Sequence, residues 1–108
     1  MTPAIGEFEV MLPGRTFSST FIIDEITHSF QGSFNGAAVL PCKGVVTLTY
    51  VTSDDLTSTR DFKGVFDKAT VTITLANGVV ITGVVDNPVP VPNNVTGTGR
   101  WGVTKFAD

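Results

Sequence analysis

Seventeen consecutive residues, Ala69 to Val85, carry no charge. Within them Ala69, Val71, Ile73 and Leu75 alternate with Thr70, Thr72 and Thr74, and the run turns over at Asn77-Gly78. A strict period of two is a strand pattern, and Asn-Gly between two such runs is the preferred dipeptide of a type I′ hairpin turn. A two-residue turn there sets the register: Leu75 faces Val80, Ile73 faces Thr82 and Val71 faces Val84. Those residues form the expected core face. Thr70, Thr72, Thr74, Ala76, Val79, Ile81 and Val85 then share the opposite face, which is half apolar and so expected to be covered as well.

The rest of the chain agrees with sheet. Valine, isoleucine and threonine together number 37 of the 108 residues, against 5 leucines, a β-branched excess that suits pleated sheet and disfavours helix. Val45 to Ser53 alternates cleanly, Ser18 to His28 reads as a strand interrupted by Asp24 and Glu25, and Thr96 to Phe106 forms a last, glycine-softened strand. Phe8 and Val10 open a short strand in an otherwise broken start. Ser53-Asp54-Asp55 offers a cap and acidic first-turn residues, which predicts a short α-helix over about 54–63 ending near Gly64. Residues 29–44 hold glycines and a proline without a period and read as a long loop or arm. Asp86 to Asn94 alternates valine with proline and reads as an extended loop. The expected fold is mainly β: one domain over 1–108, a small antiparallel sandwich or barrel with one short helix.

Chemistry-bearing residues are few. One cysteine, Cys42, excludes an internal disulfide, and with one histidine, His28, it excludes a structural zinc site. His28 reads as a surface or interface histidine and Cys42 as a structural thiol, because no nucleophile, base and orienter group together. Gly97-Thr98-Gly99-Arg100-Trp101-Gly102 lies in a terminal strand and lacks the strand-to-helix context of a phosphate loop. Its glycines point instead to close packing of neighbouring backbones. No enzyme activity, cofactor or metal is expected. No apolar run is long enough to span a membrane. The start, with Glu7 and Glu9 and no basic segment, predicts no signal peptide and hence synthesis in the cytoplasm. A net charge of −3 argues against nucleic-acid binding.

The uncharged stretches, Gly44 to Ser53 and Ala69 to Val85, lack the lysines, prolines and inward charges with which monomeric sheets guard themselves. Either neighbouring strands of the same chain cover them or other subunits do, and cover by other subunits is the expectation. The competing expectations are a monomeric glycan-binding module using Trp101 and Tyr50, and another virion part such as a capsid decoration or tail-completion protein.

From Val39 onward the order of elements resembles the tail tube protein of Mu-like bacteriophages. The Leu40-Pro41 turn, the threonine-bearing strand Val45–Thr52 and the Asp54-Asp55-Leu56 helix start carry the likeness. So do Ala69-Thr70-Val71-Thr72, the Asn77-Gly78 hairpin and Thr96-Gly97-Thr98-Gly99 running into Val103–Phe106. The resemblance implies a virion structural protein, assembled in the host cytoplasm. Six copies would form a ring by continuing their sheets from subunit to subunit, and rings would stack into a tube. Its implied partners are itself, a tape-measure protein, a baseplate and a contractile sheath. DNA would pass through without specific binding, and no membrane insertion is expected. On this reading Thr70, Thr72, Thr74, Val79 and Ile81 contact a neighbouring subunit. Phe30, Phe34, Val39 and Leu40 belong to an arm touching the next ring, and Asp24 or Glu25 lines the lumen.

Overall fold

A computed structural model describes residues 2–11, 14–35, 41–86 and 93–105. Eight antiparallel strands are described: β1 (Thr2–Met11), β2 (Thr16–Ile23), β3 (Ile26–Phe34), β4 (Cys42–Tyr50), β5 (Thr59–Asp67), β6 (Thr70–Leu75), β7 (Val80–Val85) and β8 (Asn93–Lys105). They close into a barrel in the order β1-β2-β3-β8-β5-β6-β7-β4. The mainly-β expectation holds, in its barrel form.

Alternation decides what fills the barrel. Inward positions carry Phe8, Phe17, Phe21, Phe30, Phe34, Phe62 and Phe66, all buried. Phe17 sits among Phe34 and Phe62, each with its ring centroid 5.2 Å away, and Phe8 at 5.4 Å. So many rings fit a small barrel because glycines face them. A Cβ on Gly32 would meet the Phe17 ring, one on Gly97 the Phe62 ring, and one on Gly99 the Phe30 ring. Large and small residues thus alternate to fill a narrow interior.

Four local expectations are corrected. Residues 54–63 are not an α-helix: a single 3₁₀ turn, Ser53–Leu56, precedes β5. The Asp55 carboxylate closes that turn by accepting from the Val51 and Thr52 amides, 3.2 Å each. Phe62 and Phe66, four apart, match one face of a helix and one face of a strand equally. Insertion into the barrel selects the strand.

Residues 29–34 and 42–44 are strand, not arm. Phe30 and Phe34 are core residues. Val39 and Leu40 lie outside the described residues.

Asp24 and Glu25 are not mid-strand. They form the two-residue loop of the β2–β3 hairpin, with Ile23 paired to Ile26 and φ of 51° and 67°. Positive φ at both loop positions is the signature of a type I′ turn.

The β6–β7 hairpin is offset by one residue from the expected register. Ile73 pairs with Ile81, and Thr72 with Thr82. Gly78 N–H donates to Leu75 O (2.9 Å) and Leu75 N–H to Val79 O (2.8 Å). Only Gly78 in this loop has positive φ, 91°. This is a three-residue loop with glycine in the left-handed position, not a two-residue type I′ turn. A one-residue shift moves every side chain of one strand to the other face, so Val79, Ile81 and Val85 are core.

Candidate functional site

The outer surface is where the chain differs from an ordinary small barrel. Its charged outward side chains lie on β1 (Glu7, Glu9), β5 (Asp61, Lys63, Asp67), β4 (Lys43) and β8 (Arg100), all exposed. Every outward position of β6 and β7 is Thr or Val, and every outward position of β2 and β3 is Thr, Ser, Gln or Ile. In the closed strand order β2 lies four steps from β6, and β3 four steps from β7. Two charge-free bands therefore occupy opposite sides of the molecule.

Exposed apolar residues lie on the first band and on the adjoining β4 and β1. Register places Ile5 beside Thr47, then Thr82 and Thr72, and places Glu7 beside Val45, then Val84 and Thr70. Ile5, Val45 and Val84 are 71%, 64% and 63% exposed. Between them three threonine hydroxyls find partners. The Thr82 hydroxyl donates to Val71 O (3.0 Å), and the Thr72 and Thr82 hydroxyls share a 3.0 Å bond. Thr70 donates to Asp67 O (2.8 Å). Hydroxyls paired in this way can be covered without orphaning a donor, which removes the main cost of burying polar groups.

The second band is concave. Met11, Thr16, Ser29, Gln31, Arg100 and Gly102 line an open groove of about 730 Å³ across β2, β3 and β8. Gln31 lies directly across from Arg100, and Ser29 across from Gly102.

The predicted contact residues divide between surface and core. Thr70, Thr72 and Thr74 are exposed on the first band, whereas Val79, Ile81, Phe30 and Phe34 point inward and offer nothing to a neighbour. Asp24 and Glu25 are exposed at the hairpin tip. Trp101 and Tyr50, the aromatic platform of the glycan-binding expectation, are buried at 5% and 6% exposure. Sequence reasoning missed Ile5, Val45, Val84 and the groove, because no signal in the start of the chain gives β1 its full ten residues.

His28 and Cys42 also lie inside. His28 is buried, not at the surface; burial lowers its pKa. Its Nδ1 and the Trp101 Nε1 have no partner among the described residues. The Cys42 thiol is pushed up to about 11 by burial and by the Asp86 carboxylate, against a backbone hydrogen bond at Val10. Among the described residues no cluster of His, Cys, Asp and Glu can hold a metal ion, and no helix is long and apolar enough to cross a membrane. Family models, curated proteins and solved structures give no match to the chain.

Proposed function

We propose that this chain is a structural subunit that assembles with copies of itself into stacked rings forming a tube, in the manner of a Mu-like bacteriophage tail tube. The observation that carries the reading is a pair of unlike outer faces on a closed barrel. One exposes Ile5, Val45 and Val84 beside the paired Thr72 and Thr82 hydroxyls, and the other is a groove whose lining includes Arg100. Two unlike surfaces on one subunit suit a head-to-tail contact, which closes into a ring or extends into a filament.

The mode of contact differs from the sheet continuation that the resemblance implies. Every described strand is paired on both sides, so no edge is open, and subunits meet face to face. The excess of ten acidic over seven basic residues suits a conduit for DNA. Each cation on the wall would hold phosphate by counterion release. Tape-measure protein, baseplate and sheath are the partners this role entails, and the site of action is the virion tail.

Negative-stain micrographs of the purified chain at high concentration test the reading. Rings or tubes with a central channel are expected. Compact closed shells or isolated plugs would point to a capsid or completion protein instead, and a field of single small particles would contradict self-assembly altogether.

A further inference from the structure

Gly102 has no reason inside the barrel to be glycine. At Gly6, Gly32, Gly44, Gly64, Gly83, Gly97 and Gly99 an added Cβ would strike a neighbouring ring, side chain or backbone. At Gly102 it would meet nothing within 4 Å, and φ there lies outside the left-handed region. Glycine in a strand interior weakens the strand, and one use of it is to let another body approach the backbone closely. Gly102 lines the groove on the second band, between Arg100 and Thr104 and across from Ser29.

We infer that this groove seats the Ile5–Val45–Val84 surface of a second copy of the chain, with Gly102 at the point of closest approach and Arg100 facing the incoming Glu7. The inference rests on the self-assembly reading and names its contact. Charge selects the occupant. Arg100 is the groove's cation and makes no ion pair among the described residues. The opposite surface presents Glu7 beside Val45 in the register, while the nearby Lys43 already lies across from Glu9. Copies meeting this way bury three exposed apolar side chains and bring unlike charges together. Such an arrangement fixes register and suppresses wrong pairings.

The geometry also closes. The apolar cluster centres on β4 and the groove on β3, three steps apart around eight strands, or roughly 135° about the barrel axis. Head-to-tail contacts set at less than 180° turn each copy by about 45° relative to the last, and this angle closes a ring of about eight copies.

Multi-angle light scattering on the full chain and four variants tests this, with circular dichroism confirming each fold. Gly102→Ala and Gly102→Trp add side chains where the barrel leaves space. The alanine variant should fold and assemble at least partly, whereas the tryptophan variant should fold and remain monomeric. Arg100→Glu should weaken association about ten-fold or more by placing like charges together. Combining it with Glu7→Arg in the same chain should restore assembly, because every copy supplies both surfaces. If the parent chain assembles and Gly102→Trp and Arg100→Glu assemble equally well, the groove is not the seat while self-assembly stands. If charge reversal disrupts assembly and the double swap does not restore it, Glu7 is not the partner of Arg100 and the named contact is wrong. A parent chain that stays monomeric overturns both.

Discussion

Asp24 and Glu25 hold the β2–β3 hairpin in left-handed backbone, which Asp tolerates and Glu does not favour. Their φ values of 51° and 67° suit Asn and Gly, and left-handed backbone on other residues costs of order 1 kcal/mol or more each. Replacing the pair by Asn-Gly should stabilise the barrel by about 1 kcal/mol, seen as a rise of roughly 4–8 °C in Tm. An unchanged or lower Tm would mean that the tip carries no strain. His28 makes stability depend on pH. Its folded pKa lies below the usual 6.5, so the unfolded chain binds the proton more readily. The neutral-form advantage is complete above about 6.5 and is lost as pH falls through the folded pKa. Urea midpoints measured at pH about 7.5 and about 5 should fall toward acid in the parent and fall less in His28→Phe. Equal slopes would remove His28 from the account. The raised Cys42 pKa predicts slow reaction with disulfide reagents at pH about 8 until urea exposes an ordinary thiol; rapid reaction of the folded chain would contradict its burial.

At the scale of elements, glycine decides how strands pack. Gly99 and Gly102 lie three apart on β8 and face opposite sides. Gly99→Ala would drive a Cβ into the Phe30 ring and should cost about 1–3 kcal/mol in denaturant unfolding. Gly102→Ala should be neutral or stabilise by up to about 1 kcal/mol through the unfolded chain. Similar effects from both would refute the packing described. The same elements mark the reach of the sequence. The β6–β7 hairpin is legible because the seven-residue alternation Ala69–Leu75 runs into Asn77-Gly78. Its register is not, because Asn-Gly serves two loop types. The choice is made by distant contacts: Asn77 Nδ2 donates to Asp55 O (3.0 Å), and Ala76 N–H to Asp61 O (2.9 Å). The 54–63 helix misleads because the Ser53-Asp54-Asp55 cap signal serves a single 3₁₀ turn as well as a longer helix. The β2–β3 turn is hidden because Asp-Glu between isoleucines carries no glycine. The threonines of the first band are readable as outward, but Ile5, Val45 and Val84 come together only when β1, β4 and β7 lie side by side.

For the whole molecule, the proposed role requires the closed barrel to meet copies of itself through its outer faces. Sedimentation velocity on the parent chain and on the double variant Thr72→Lys, Thr74→Lys tests this most directly. Both positions face outward, and the buried Val71, Ile73 and Leu75 are untouched. Unfolding free energy should therefore shift by only about 0.5 kcal/mol or slightly more as the Thr72–Thr82 bond is lost. Covering two unpaired ammonium groups in a contact costs several kcal/mol. The parent should sediment as rings and tubes, many multiples of 11.4 kDa, and the double variant as a folded monomer. A parent that stays at 11.4 kDa at every concentration, or a double variant that assembles as fully as the parent, would contradict it.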